Sequence, residues 1–331
     1  MFLLQPDNSV TPADAGGRIT GQESLNGFQL RTEKRMRLAS FAGTNGVVRL
    51  GAVTDNGLID LRTAARNLGV AADAFADMIC FLNAGESASS EAERLVNEAP
   101  HGSVVAMSGI RLLPPVPRPG KIIAIGLNYR DHQIESGAKE APKAPMIFAK
   151  FATSIAAAED PIVIPVGDPQ VDYEAELAVV IGKRGKRIPE DDAMSHVGGY
   201  MPLNDVSARA WQFADKQWVR GKSCDTFCPT GPYLTTRDEI ADPHALAIRA
   251  RVNGVTLQDS NTSKMIFKVP QLIAHISASI TLEPGDIIAT GTPEGVGVFR
   301  TPPIFLKAGD VVEIEIEKLG TLRNPVVAAQ L

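Results

Sequence analysis

The run Asp172-Tyr173-Glu174-Ala175-Glu176-Leu177-Ala178-Val179-Val180-Ile181 concentrates groups that could do chemistry. As a β-strand it sends alternate side chains to opposite faces. Asp172, Glu174 and Glu176 then share one face, and Tyr173, Ala175, Leu177, Val179 and Ile181 share the other. Two or three carboxylates converging on an apolar strand repel one another, and burial sharpens the repulsion. A hard divalent cation such as Mg²⁺ or Mn²⁺, which takes oxygen ligands, removes that cost. The same alternation also describes an edge strand with a solvated acidic face. Glu313, Glu315 and Glu317 in GDVVEIEIEKLG are taken that way. The company kept by the first strand distinguishes it. PLNDVSAR brings Asp205 after an apolar turn, RGKSCDT sets Lys222 among small residues, and ATGTPEGVG follows a buried strand. That Gly-rich loop fits neither a phosphate-binding loop nor a dinucleotide fingerprint.

The elements that must position these groups are mostly strands. PIVIP, YEAELAVVIG, ALAIRARVNG, DIIAT and VVEIEIEKLG are β-rich or alternating, with Gly and Pro turns between them. Helices are expected at 191–196, 207–218 and 269–279, too few for strict β-α-β alternation, so a doubly wound parallel sheet is not expected. Ahead of them, MRLASFAGTNGVVRLGAV reads as a hairpin around Thr44-Asn45-Gly46. LIDLRTAARNLGV and the stretch from Phe75 to Asn97 read as helical. Four segments follow: a loosely ordered extension over 1–35, a small N-terminal domain over 36–113, a Pro-rich linker over 114–120, and a catalytic domain over 121–331 that opens on KIIAIGLNY.

Composition narrows the function class. The 331 residues, 44% of them hydrophobic, suffice for a sizeable core. A net charge of −5 with no basic block argues against nucleic acid as a partner. No apolar run of about 18 residues is present, so no membrane span is expected. The N-terminal stretch lacks the basic start of a secretory signal. Cys80, Cys224 and Cys228 are odd in number and match no zinc spacing, so they are expected as free thiols of a cytoplasmic protein.

Taken together, GLNYRDH (126–132), DYEAELAVVIGK (172–183), NDVSAR (204–209), GKSCDTFCPTGP (221–232), VNGVTLQDSNTSKMIF (252–267) and PGDIIATGTPEGVG (284–297) resemble the fumarylacetoacetate hydrolase family, in the family's order over roughly residues 36–325. The resemblance implies an α+β, mostly β fold: a mixed β-roll core with a small N-terminal α+β domain, usually assembled as a homodimer. It implies one divalent ion per subunit, held by Glu174, Glu176 and Asp205, with Thr226 near the metal shell. It puts Lys222 in the site, substrate contacts at Arg209, Gln212 and Thr292, and a His–Glu lid dyad at His132 and Glu135. The larger eukaryotic members carry a further metal carboxylate seven residues before that His; Ile125 stands there, which points to the shorter branch.

The chemistry expected from this set starts with a 2-oxo acid, whose carboxylate and keto oxygens can chelate one cation. Cleaving the C–C bond beside the keto group leaves an enolate, a charge that a divalent cation stabilises. Lys222 adds a second positive charge, and Arg209 is suited to grip a carboxylate at two points. His132 is the natural base for a water, with Glu135 orienting it from one turn away. On their own, His132 and Lys222 would pass for surface residues, and Arg209 and Gln212 for an ordinary helix surface. The first expectation is a hydrolase of acylpyruvates or 2,4-dioxo acids. The alternatives are an oxaloacetate-type decarboxylase, a hydroxymuconate isomerase or decarboxylase and, from a different class, a metal-stabilised binding protein without catalysis.

Overall fold

The computed structural model describes residues 36–43, 46–167 and 170–330, so the expectation for 1–35 lies outside the described residues. An eleven-stranded sheet runs through the molecule. Its path takes Val104–Val105, Gly57–Asp60, Val48–Thr54, Arg37–Ala42, Leu234–Thr236, Val197–Asn204, Ala175–Ile181, Ile287–Ala289, Ile122–Gly126 and Met146–Lys150, with Arg111–Leu112 pairing off the path. Its pairs are antiparallel except Ile287–Ala289 with Ile122–Gly126. A five-stranded sheet takes Val255–Asn261, Ala247–Val252, Val311–Ile316, Gly320–Ala328 and Ile162–Ile164. The fold is α+β and mostly β, with mixed sheets, as the sequence led us to expect.

Ala175–Ile181 lies inside both layers. Leu177, Val179 and Ile181 pack with Ile248, Val312 and Ile314 of the second sheet. Ala178 and Val180 pack on the other face with Ile122, Met201, Leu203 and Ile287. A strand buried on both faces reads as a near-continuous apolar run, which this one does. Each fully buried Val or Leu stabilises the fold by about 1.5–3 kcal/mol. A carboxylate placed within such a strand is therefore held rigidly and kept from bulk water.

Several local expectations change. The hairpin at 36–53 forms, Arg37–Ala42 against Val48–Thr54. The helix expected from Leu58 begins instead at Leu61, because Gly57–Asp60 pairs with Val48–Thr54 and Asp60 caps the helix by accepting Thr63 N–H at 3.0 Å. The helical stretch after Phe75 is broken at Gly85 into Met78–Ala84 and Glu86–Glu98. Residues 190–196 form a 3₁₀ turn, and in 207–218 only Arg209–Ala214 is α-helical. The Pro-rich stretch is packed in place: Val116 is buried, and Pro115 C=O accepts the Ser40 hydroxyl at 2.8 Å.

Candidate metal and 2-oxo acid site

The carboxylate strand is interrupted where the sequence showed unbroken alternation. Val171–Asp172 pairs with Ser207–Ala208, residues 173–174 leave the ladder, and Ala175–Ile181 resumes against Val197–Asn204. The break sorts the three acids. Glu174 and Asp205 are tied through the main chain: Asp205 N–H donates to Glu174 C=O at 2.9 Å, and Glu174 N–H donates to the Asn204 side chain at 3.0 Å. Glu176 stands two residues along. Ligand oxygens of Glu174, Glu176 and Asp205 all lie within 4.8 Å of one another, and all three residues are buried. Asp172 does not join them. Its carboxylate accepts Arg209 from Nε and Nη2 at 2.9 and 2.8 Å, and the N–H groups of Tyr173, Gly297 and Val298.

Cations surround the cluster. Lys222 Nζ reaches Glu174 at 2.7 Å and Asp205 at 2.8 Å, and Arg209 reaches Glu174 at 2.8 Å. Lys150, which the sequence did not single out, is fully enclosed and donates to Asp205 at 2.6 Å and to the carbonyl of Lys222. Burial alone would lift the proton affinity of Glu174, but Lys222, Arg209 and His132 outweigh it and hold the carboxyl well below its usual range. Glu176 goes the other way. Burial first, then the charges of Asp205 and Glu174, push it well above the carboxylate range, although Gly291 N–H donates to it at 2.8 Å. Four buried carboxylates (Asp172, Glu174, Glu176, Asp205) thus face three buried cations (Lys150, Lys222, Arg209). Glu176, whose carboxyl is the one pushed up, completes a set of three converging oxygen donors with Glu174 and Asp205. Such a donor set fits a hard divalent ion.

The Gly-rich loop closes over this strand. Thr290 bonds Leu177 C=O through its hydroxyl at 2.8 Å, and Gly291 follows at φ +100° with its notional Cβ position only 2.7 Å from the Asn128 side chain. A side chain at 291 would push the loop off and remove the N–H that Glu176 accepts. Thr292 is buried, and its hydroxyl accepts Gln258 Nε2 at 2.8 Å. Gln258, also missed from sequence, bonds Ala175 N–H at 2.9 Å with its amide oxygen and so ties this loop to the carboxylate strand.

His132 and Glu135 sit on the short helix Arg130–Glu135. His132 Nδ1 lies 2.7 Å from Glu135 Oε1, and Glu135 Oε2 accepts Gly295 N–H at 2.8 Å. Nδ1 is thereby engaged, which leaves Nε2 for other partners. Lys264 adds an outer tie, to Asp131 of this helix at 2.6 Å and to Glu294 of the loop at 3.3 Å. Arg209 differs from expectation. Its Nε and Nη2 are spent on Asp172 and Glu174, and Nη1 donates to Gln212 at 2.9 Å, so its fork organises the site instead of standing open. The Thr226 hydroxyl accepts Val163 N–H at 2.8 Å. Among the described residues no disulfide joins the three cysteines, and burial pushes the Cys228 thiol up to about 12, so it is inert.

Residues 121–327 match the model of the fumarylacetoacetate (FAA) hydrolase C-terminal domain. The chain belongs to this family. A mitochondrial oxaloacetate tautomerase of Bos taurus is 48% identical over 306 residues, spanning 91% of this chain and 94% of that protein. A mitochondrial oxaloacetate tautomerase of Xenopus laevis is 55% identical over 249 residues, 75% of this chain and 77% of its own. Among solved structures, the fumarylacetoacetate hydrolase of psychrophilic Exiguobacterium antarcticum aligns with a TM-score of 0.73 at 33% identity, covering 89% of this chain and 100% of that one. A 5-carboxymethyl-2-hydroxymuconate delta-isomerase of Mycobacterium smegmatis aligns at 0.68 and 35%, with the same coverage. The family's members thus include hydrolase, isomerase and tautomerase by name. Among the described residues no helix is long and apolar enough to cross a membrane.

Proposed function

We propose that the chain is a Mg²⁺- or Mn²⁺-dependent tautomerase that interconverts the keto and enol forms of a small 2-oxo diacid of the oxaloacetate type. The observation that carries this reading is the His132–Glu135–Gly295 hydrogen-bonded chain, set close enough to the buried Glu174–Glu176–Asp205 cluster for His132 to act electrostatically on Glu174. The similarity to oxaloacetate tautomerases over nine-tenths of the chain supports it.

Glu174, Glu176 and Asp205 would hold a divalent ion, which would supply Lewis-acid stabilisation of the charge that develops on the keto oxygen. The protein's own residues do the rest. Glu135, pinned by Gly295 N–H, fixes His132 through Nδ1. Nε2 is then the atom that takes a proton from the carbon beside the keto group, or returns one to it. Tautomerisation needs no more than this: one proton leaves carbon as another reaches oxygen, and no water is consumed. Lys150 and Lys222 hold Asp205 in place, and Lys222 also holds Glu174. Their charge also favours an anionic substrate. C–C hydrolysis, the first expectation from sequence, would employ the same base on a water and is the second reading, supported by the likeness to the Exiguobacterium hydrolase.

The test follows the absorbance of enol oxaloacetate with Mg²⁺ and protein, alongside pyruvate release from oxaloacetate and from an acylpyruvate. Saturable ketonisation well ahead of both pyruvate-forming rates is expected. Acylpyruvate cleavage outrunning ketonisation would overturn the proposal in favour of hydrolysis.

A further inference from the structure

We infer that Phe299 is a specificity-determining residue that shields His132 from water and so holds the site to proton transfer over hydrolysis. This inference rests on the tautomerase reading and extends it to the choice between the two reactions.

Three observations carry it. Phe299 is a large apolar side chain left 37% exposed, an arrangement that costs hydrophobic stabilisation. Its ring faces the His132 imidazole at 6.1 Å between centroids and 51° between planes, while His132 is only 6% exposed. The turn that carries the ring, Gly297–Phe299, is also anchored with unusual care. Asp172, buried and already bound to Arg209, accepts Gly297 N–H at 2.8 Å and Val298 N–H at 2.9 Å. Ile304 N–H donates to Gly297 C=O at 3.0 Å, and a Cβ at 297 would stand 1.9 Å from Ile304 C=O, so the backbone segments pack with no space for a side chain there. One carboxylate therefore fixes both the guanidinium behind Glu174 and the ring over His132.

The chemistry gives this position its consequence. Both reactions pass through an enolate of the 2-oxo acid. In ketonisation the enol oxygen loses its proton and the adjacent carbon gains one; composition is unchanged. In hydrolysis a water oxygen bonds the acyl carbon, the electron pair of the broken C–C bond stays on the pyruvate carbon, and that carbon takes the proton. Only hydrolysis requires a water beside His132 Nε2. An apolar ring against the imidazole denies that water its place, since expelling solvent suppresses side reactions of a reactive intermediate.

The test compares Phe299→Ala, Phe299→Ser and Phe299→Leu with the unaltered protein, all loaded with Mg²⁺. Enol oxaloacetate ketonisation and pyruvate release from an acylpyruvate are measured for each, and Mg²⁺ affinity is measured by calorimetry. The two small variants are expected to raise the ratio of cleavage to ketonisation by about tenfold or more. Leu, which still covers the ring, should keep the original ratio. An unchanged ratio in both small variants overturns the inference. So does a proportional fall of both rates, which would make Phe299 a prop for His132 and nothing more. The rates of the unaltered protein bear on the tautomerase reading separately: absent ketonisation there removes that reading, whereas the response to ring removal reports on water access.

Discussion

Lys150 and Lys222 together hold both carboxylate oxygens of Asp205, Lys150 on Oδ1 at 2.6 Å and Lys222 on Oδ2 at 2.8 Å. Removing one partner of a buried ion pair costs about 3–5 kcal/mol, because the other charge stays buried without it. Lys150→Met should therefore lower the melting temperature of the metal-free protein. Removing a cation beside Asp205 also removes repulsion toward a bound ion. Mg²⁺ should then restore more stability to this variant than to the unaltered protein; equal Mg²⁺-induced shifts in thermal melts would refute the arrangement. A second contrast separates ligand from base. Glu176→Gln should weaken Mg²⁺ binding in calorimetry. His132→Ala should leave binding intact and lower turnover by about 10²–10⁴-fold. Loss of Mg²⁺ affinity in the His132 variant would move that residue into the metal's ligand set.

Residue types made part of this site legible beforehand. Glu174, Glu176 and Asp205 stood out because carboxylates inside apolar runs need a physical reason. Lys150 did not, since a lysine ending Met-Ile-Phe-Ala-Lys looks like the wet end of a strand. Its only signal was alternation with Met146 and Phe148, the more buried side chains of Met146–Lys150. Alternation put Asp172 on the face of Glu174 and Glu176 without deciding whether two or three acids converge, because period-two alternation holds only while the ladder continues, and the ladder stops at 173–174. Arg209 was taken for an open fork because sequence does not reveal that Asp172 already fills it.

Among the elements, the helix Val269–Ser277 presents a titratable cap. Val269 N–H donates to His244 Nε2 at 3.1 Å, which requires a neutral imidazole. Burial first, then Lys268, lower the proton affinity of His244 below its ordinary value, with Asp242 pulling the other way. The sign follows from a depressed folded pKa. Above the unfolded value of about 6.5 both states carry a neutral ring and the cap contributes fully. As pH falls below that value toward the depressed folded one, the unfolded chain binds the extra proton and stability drops. A helix cap contributes about 1 kcal/mol. His244→Gln, whose amide oxygen accepts at any pH, should lose less melting temperature than the unaltered protein between about pH 7 and pH 5. Parallel curves would show that His244 contributes no pH-dependent cap. The helix was expected from sequence at 269–279, but not the cap, which comes from 25 residues upstream.

At the scale of the whole molecule, the question is whether residues 36–113 behave as a domain of their own. The Thr44-Asn45-Gly46 turn and the Pro-rich stretch made a separate unit the natural expectation. Neither signal reports which sheet the hairpin joins. Arg37–Ala42 pairs on its far side with Leu234–Thr236, Arg37 opposite Thr235 and Leu38 opposite Leu234, so the large sheet runs on without a break. Met36 N–H donates to Glu239 at 3.1 Å. Leu38, Leu50, Phe75 and Phe81 share one apolar cluster with Ala178, Val180, Met201 and Ile287, two of which lie on the strand that carries Glu176. Boundaries between independent domains fall where few contacts cross, and a common sheet with a common core is the opposite case. Unfolding 36–113 alone would strip the cover from Ala178 and Val180 and unsettle Glu176. Calorimetric melting should accordingly show one transition, and Mg²⁺ should move it upward as a whole, by about 2.7 kcal/mol of added stability at about a hundredfold excess over Kd. Two transitions, with only the upper one responding to Mg²⁺, would instead establish residues 36–113 as a domain that folds apart from the site.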